Sequence, residues 1–331
     1  MRTERSLERT APPGTQFELL YELASGSTGT VSLGRAVGGR EAGRPVVLRA
    51  LDEHVYAGLE TALTRATSIA HPRLLKTLGV TRIEGQLFIV SEYVDGLPLS
   101  ELIRALQAAA VSMVPEVALR VTLDSLLAVA AAHDELGRFG MKTLPRCLFR
   151  DTAWVASFGE TLLSDAGIAC ELATSTPHDD VFAAGALLWE LVSGRRIENV
   201  EDTALISGTD GVRSLMPNPE PLVQLVLHAV SSDPAQRFAN VQAMADAIQE
   251  LPVHWLATDA EVRAAVEVLT QSMPSTLGSI EGAFSGEHEI DPWDTPTRSL
   301  RARQLGPSRP PQAQDATTQR PPIPPRSPRP R

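Results

Sequence analysis

The stretch "DDVFAAGALLWELVSGRR", residues 179–196, carries the clearest structural signal in the chain. Between residues 181 and 191, apolar side chains occupy nearly every side of the helix that this stretch would form. A helix that is apolar all round is buried in a protein core rather than laid on its surface. The stretch therefore predicts a helix over residues 180–193 at the centre of a large helical unit, with Asp180 at its start.

The segments on either side of this helix differ in character. Before residue 98 the pattern predicts strands separated by turns, with one helix among them. From residue 98 onward the pattern is mainly helical. In the first part, strands are predicted in 17–39 (two strands around a glycine turn), 44–51, 74–83 and 86–94, and a helix is predicted in 56–70. In the second part, helices are predicted in 98–110, 114–137, 180–193, 220–230, 241–251 and 259–273. Two short strands are predicted there as well, one near Trp154 and one at 161–163. This order predicts an α+β fold, in which a small β-rich lobe precedes a larger, mainly α-helical lobe.

Composition limits the class of protein. A hydrophobic share of 43% and ordinary charge describe a globular chain, and no apolar run is long enough to cross a membrane. The N-terminus "MRTERSLERTAPPG" lacks the apolar centre of a secretory signal. With only Cys147 and Cys170, the chain has no disulfide framework, which indicates a reducing compartment and predicts a cytoplasmic location.

Charge divides the chain into an acidic body and a basic tail. Residues 296–331 hold eight Arg and one acid, which leaves 22 basic against 39 acidic residues, a net charge near −17, in residues 1–295. The last segment is rich in Pro and Arg and has no aromatic residue, so it cannot bury enough apolar surface to fold alone. We predict a disordered tail over 275–331, with polyproline character in its proline runs.

The motifs, in their order, resemble those of the eukaryotic-like serine/threonine protein kinases of bacteria. "LASGSTGTV" resembles the family's glycine loop, "VVLRAL" its V-A-I-K-x-L strand, "FIVSEYVDGLPLSELI" its hinge, and "SSDPAQRF" its D-P-x-x-R-f motif. The 179–196 stretch is similar to the family's central helix almost position by position. The resemblance covers residues 16–251 and implies a bilobal protein-kinase-like fold. Kinases of small molecules share the architecture but lack this helix and the D-P-x-x-R-f motif, so the sequence favours a protein kinase over them.

The resemblance also implies where the catalytic parts should lie. Gly26 and Gly29 match two glycines of the nucleotide-binding loop, and Ala24 stands at the first. The phosphate-contacting Lys is replaced by Arg49, whose planar guanidinium is not equivalent to a compact ammonium. Since the chain holds only two lysines, Lys76 and Lys142, which is typical of a GC-rich bacterial gene, the change is read either as drift or as an altered nucleotide mode.

The remaining catalytic residues are degenerate. The family's orienting Glu falls on Ala62, with Glu60 two residues away on another helix face. "FRD" makes Asp151 the candidate base, whereas aligning the following strands puts the base position near Leu148 or Phe149 and the Asn position near Ala153 or Trp154. No Asn occurs in this loop under either alignment.

The D-F-G motif of the family reads D-A-G here, at residues 165–167. Asp165 is the candidate Mg²⁺ ligand, the alternative being a polar turn residue. ATP and Mg²⁺ are the cofactors to which the resemblance points, and the substitutions predict weak or absent binding.

The activation segment is much shorter than in the family. Only twelve residues, 168–179, separate Gly167 from Asp180 at the start of the predicted central helix, and the A-P-E motif is missing. Arg237, which matches the Arg that pairs with the A-P-E Glu, has therefore either lost that partner or adopted another, such as Glu171. We predict a catalytically inactive pseudokinase that acts as a regulatory or scaffolding module in bacterial phospho-signalling. The alternative is a weak or unconventional ATP-dependent serine/threonine kinase.

The predicted organisation is a flexible N-terminus over 1–15, a kinase-like domain over 16–251 (lobes 16–95 and 96–251), a helical extension over 252–274, and the tail. We expect the helix of the extension to pack on the large lobe through Val262, Val266 and Leu269, the alternative being a docking helix. Through the tail we expect protein partners, either active kinases or acidic surfaces. A membrane is excluded and nucleic acid is disfavoured, because no aromatic stacking platform accompanies the Arg residues.

Overall fold

The computed structural model confirms the bilobal α+β architecture. It describes residues 16–26, 29–37, 42–51, 65–139, 148, 152–164, 176–197, 206, 216, 218–272, 278–279 and 301–304. The predicted first helix, 56–70, lies mostly outside this range, and its last turn is helical at 65–68.

The small lobe is a five-stranded antiparallel sheet. Its strands are β1 (Gln16–Gly26), β2 (Gly29–Val37), β3 (Pro45–Leu51), β4 (Thr77–Ile83) and β5 (Gln86–Glu92), in the order β4-β5-β3-β2-β1. The β4–β5 hairpin turns at Glu84 and Gly85, both of which have positive φ. Beyond β1 the sheet continues with two short strands from the C-terminal region, β9 (Gly278–Ser279) and β10 (Arg301–Gln304). These lie inside the predicted tail, the rest of which is outside the described residues.

A second, three-stranded sheet is formed by residues of the part of the chain assigned to the large lobe. Strand β6 (Gly96–Pro98) pairs with β7 (Ala153–Ala156), which pairs in turn with β8 (Thr161–Leu163). The sequence predicted β7 and β8 but assigned Pro98 to a helix. Pro98 instead ends β6 and precedes the first residue of the helix, Leu99.

The large lobe is built from six helices among the described residues. They are α1 (Leu99–Ala109), α2 (Pro115–Arg138), α3 (Pro177–Ser193), α4 (Glu220–Ala229), α5 (Val241–Gln249) and α6 (Asp259–Ser272). Helix α3 contacts α2, α4 and α5, so it is the central helix that the sequence predicts. Its Gly185 permits this packing, because a Cβ there would lie 2.6 Å from the Ala229 methyl group of α4. None of the described helices is long and apolar enough to span a membrane.

Helix α6 packs back on the large lobe, as predicted. Val262 is fully buried and Val266 is nearly so, while Leu269 is partly buried against the same core. The helix contacts α1 and α2. Thr258 begins it with a capping box, in which the Glu261 carboxylate accepts hydrogen bonds from the Thr258 backbone N–H (2.7 Å) and hydroxyl (2.8 Å).

Candidate nucleotide site

The glycine hairpin is explained by backbone geometry. Gly26 ends β1 and pairs with Gly29, which begins β2. Gly29 has a φ of +112°, and a Cβ at this position would lie 2.4 Å from the carbonyl oxygen of Ala50. Only glycine fits both demands. The hairpin therefore requires a glycine at position 29 whether or not a phosphate binds there.

Arg49 points from the small lobe into the interface between the lobes. It sits on β3 between Val31 of β2 and Ile89 of β5, and it is only 3% exposed. Its Nη2 atom donates to the Ser164 hydroxyl at 3.4 Å. Ser164 follows β8 and directly precedes the predicted metal ligand Asp165 in the sequence. The sequence placed Arg49 on this strand but did not identify Ser164, which carries no local signal.

Several predicted site residues lie outside the described part of the chain. These are Asp151, Phe149, Asp165, Ala62, Glu60 and Glu171. The assignments of a base to Asp151 and of a metal ligand to Asp165 therefore stay predictions. Of the alternative base positions the structure describes Leu148, whose apolar side chain is 2% exposed. The backbone beside the loop is held in place, because the Ser164 N–H donates to the Thr152 carbonyl at 2.7 Å.

Asp180 ties this loop to the central helix. Its carboxylate is fully buried, accepts a hydrogen bond from the Leu148 backbone N–H at 2.7 Å, and lies 3.1 Å from His133 Nε2 on α2. The position of Asp180 is secured by the start of α3, where Thr176 and Asp179 form a capping box. His133 was not among the predicted site residues, since nothing in its local sequence sets it apart from other helical residues.

Arg237 has partners other than an A-P-E glutamate. Its Nε donates to the Ser231 carbonyl at 2.8 Å and its Nη1 donates to the His178 carbonyl at 3.1 Å. The guanidinium also lies over the Phe182 ring, 4.9 Å from the ring centre, and 3.9 Å from a carboxylate oxygen of Asp179. Arg237 thus anchors the start of α3.

Two features of the chain differ from the Mg-ATP site of the family that its motifs resemble. The cation on β3 is a buried guanidinium that donates to Ser164, and the loop between α2 and β7 contains no Asn for a second metal contact. Among the described residues, no group of three or more His, Cys, Asp or Glu side chains could hold a metal ion.

Relatives and structural neighbours agree with the fold. The chain is 24% identical over 287 residues to the tyrosine-protein kinase MasK of Myxococcus xanthus, covering 75% of this chain and 44% of that protein. It is 23% identical over 226 residues to the probable serine/threonine-protein kinase PknB of Lactococcus lactis, covering 58% of this chain and 34% of that protein. The chain therefore spans less than half the length of these relatives. No family model matches it.

Among solved structures, the PknI kinase domain of Mycobacterium tuberculosis matches with a TM-score of 0.50 at 20% identity, over 71% of this chain and 95% of that one. A double mutant of the same domain matches with a TM-score of 0.51 at 20% identity, over 71% and 94% of the two chains. At this level of identity the structures establish the fold, and the curated relatives establish the descent. The chain has the protein-kinase fold and is a homologue of bacterial serine/threonine and tyrosine protein kinases.

Proposed function

We propose that the chain is a catalytically inactive member of this group that serves as a regulatory or scaffolding module in bacterial phospho-signalling. The observation that carries the proposal is Arg49. A kinase needs a compact ammonium at this point of β3 to contact the nucleotide phosphates. Here a larger guanidinium is buried and donates to Ser164, so phosphate contact would require it to leave that position.

Two features of the sequence support the proposal. The loop between α2 and β7 has no Asn to hold a second metal ion, and the nine residues between Gly167 and the start of α3 at Pro177 are too few for a substrate platform of the family type. The first defect removes a contact to a metal ion that would neutralise charge in the transition state, and the second removes the surface on which a substrate would dock, so each is expected to lower turnover.

Binding of Mg-ATP provides the test. A ligand at 100 times its dissociation constant stabilises a folded protein by about 3 kcal/mol, which a thermal-shift measurement detects readily. We expect no shift with millimolar Mg-ATP for the native chain or for Asp165→Asn. The Arg49→Lys variant tests whether Arg49 is the only residue that prevents nucleotide binding. If Mg-ATP raises the melting temperature of this variant alone, the defect lies in Arg49.

Phosphate transfer tests the alternative. If the native chain phosphorylates a generic basic protein, and Asp151→Asn abolishes this activity, the chain is a weak or unconventional kinase and the proposal fails. Micromolar affinity for Mg-ATP by calorimetry would also count against it.

We propose the Arg/Pro tail as the main contact with protein partners, either active kinases or acidic surfaces. Prolines hold "PPIPPRSPRP" extended at low entropic cost, and eight Arg favour an acidic groove. Phosphorylation at Thr295, Thr297 or Ser327 would add negative charge and weaken such contacts. We expect residues 1–295 to recover fewer partners than the full chain in pull-downs, with lower salt sensitivity. Equal recovery would exclude the tail as the contact device.

A further inference from the structure

A buried carboxylate on α2 joins an arginine of the same helix to an arginine from the loop before β4. Asp124 is 2% exposed, and its Oδ1 accepts from Nη1 of Arg73 at 3.3 Å while its Oδ2 accepts from Nε of Arg120 at 3.1 Å. Burial raises the pKa of the Asp124 carboxyl, and Arg120 and Arg73 act in the opposite direction. A buried carboxylate of this kind depends on both partners, because losing one leaves its charge incompletely compensated.

Arg120 extends this arrangement to the C-terminal helix. Its Nη2 lies 2.5 Å from Oδ1 of Asp259, the first residue of α6, and its Nη1 donates to the Ala257 carbonyl at 3.3 Å. The Ala257 N–H donates in turn to the Glu116 carbonyl at 3.1 Å. The start of α6 is therefore fixed to α2 by side-chain and backbone contacts. We call Asp259, Arg120, Asp124 and Arg73 the ion-pair chain.

At its other end, the ion-pair chain reaches the loop that leads into β4. Arg73 lies in this loop, and its carbonyl accepts from the Leu163 N–H at 3.0 Å. The Leu75 N–H donates to the Leu163 carbonyl at 2.9 Å, so two backbone bonds hold the loop of the small lobe to β8 of the large lobe. Leu163 directly precedes Ser164, the partner of Arg49.

We infer that α6 is a conformational control element, whose docking on α2 sets, through the ion-pair chain, how firmly the loop at residues 71–76 is held to β8. When Asp259 engages Arg120, Arg120 is oriented toward Asp124, and Asp124 in turn holds Arg73 over the large lobe. When α6 is displaced, Arg120 loses its partner on α6, and the hold on Arg73 weakens. The inference does not depend on whether the chain is active, because the coupled element is the contact between the lobes.

The geometry gives this coupling a direction. Arg73 is one-third exposed and Arg120 about one-quarter exposed, so both side chains can move, whereas Asp124 is fixed within a buried helix. Within the ion-pair chain, every cation has a carboxylate partner and Asp124 has two cations. Removing the carboxylate at the α6 end therefore shifts the balance around Asp124 without creating a cavity in the core.

Hydrogen exchange on the full chain tests the inference. In Asp259→Asn, we expect the Leu75 and Leu163 amides to exchange at least about twofold faster, together with the first turn of α6. Glu261→Gln is the matched control, since it alters the cap of the same helix turn without touching Arg120. We expect this control to change exchange only near α6. A second control, Asp134→Asn, removes an exposed charge from α2 and should change neither reporter amide.

A double variant separates coupling from general loosening. Arg73→Gln alone should raise exchange at Leu75 and Leu163, and adding Asp259→Asn should raise it by less than the product of the two single effects, with a discrepancy of at least about twofold. Multiplicative effects would overturn the inference. So would unchanged exchange at Leu75 and Leu163 in Asp259→Asn, or equal changes in Glu261→Gln.

Discussion

Replacement of Asp180 should lower stability in an order set by the hydrogen bonds that each variant keeps. Asp180→Ala removes the carboxylate that accepts from the Leu148 backbone N–H and lies beside His133 Nε2. The buried Leu148 N–H then loses this acceptor. Hydrogen bonds to a charged group contribute about 1.5–3 kcal/mol each, and removal of the buried charge offsets part of this loss. We expect Asp180→Ala to reduce the free energy of unfolding by about 3–5 kcal/mol.

Asp180→Asn keeps the oxygen that Leu148 needs and places an amide next to His133. A bond to a neutral acceptor contributes about 0.5–1.5 kcal/mol, so the expected loss is only about 1–2 kcal/mol. The assay is urea unfolding followed by tryptophan fluorescence, because Trp154 and Trp189 are both 1% exposed and report on the core of the large lobe. Asp134→Ala, at an exposed site on α2, is the control and should stay within about 0.5 kcal/mol.

Two results would contradict this order: an Asp180→Ala variant that unfolds within about 0.5 kcal/mol of the native chain, or an Asp180→Asn variant that is as destabilised as Asp180→Ala. The first result would mean that Asp180 does not hold the loop in solution. The second would mean that the charge itself, rather than the acceptor geometry, provides the stabilisation.

Three further results are expected. Gly159→Ala should lower the free energy of unfolding by more than about 2 kcal/mol, since the φ of Gly159 is +101° and a Cβ would lie 2.1 Å from a backbone oxygen of α6. Gly137→Ala, where a Cβ meets open space, should raise the free energy of unfolding by up to about 1 kcal/mol. Equal effects of the two variants in urea unfolding would contradict this. Thr258→Ala should cost about 1 kcal/mol at neutral pH. The Thr258 backbone N–H and hydroxyl lower the pKa of Glu261, so this carboxylate stabilises the fold above its unfolded pKa and the contribution is lost as pH falls through the lowered pKa. Thr258→Ala should therefore flatten the acid limb of a stability–pH profile, and an unchanged limb would count against it. A chain that ends before α6 should melt at lower temperature than one that ends after it; equal melting temperatures would favour a docking role for the helix.

The sequence was sufficient where local pattern determines structure. The all-round apolar run of α3 predicted its burial, and apolar segments separated by turn residues predicted the five strands of the small lobe. Strand β6 was missed because it has only three residues, contains Pro98, and exists through pairing with β7, more than fifty residues away. No periodicity signals such a pairing.

The candidate site was predictable only in part, for a related reason. Motif order placed Arg49 on β3, but its partner Ser164 is 115 residues away along the chain. In the ion-pair chain, Arg73 is 51 positions from Asp124 along the sequence, and Arg120 is 4 positions from it. Only the spacing of four, between Arg120 and Asp124, is a pattern that a helical sequence shows. Contacts between distant segments depend on the tertiary fold, which a single sequence does not specify locally.

The bond between Asp180 and Leu148 bears on how such a chain can evolve. Asp180 recognises a backbone N–H, which every residue except proline possesses. The tether therefore places no demand on the side chain at position 148 beyond the need to fit a buried space. A loop anchored in this way can exchange its side chains one at a time while its path across the large lobe is preserved. Such a chain can therefore keep its fold through substitutions that remove its catalytic side chains.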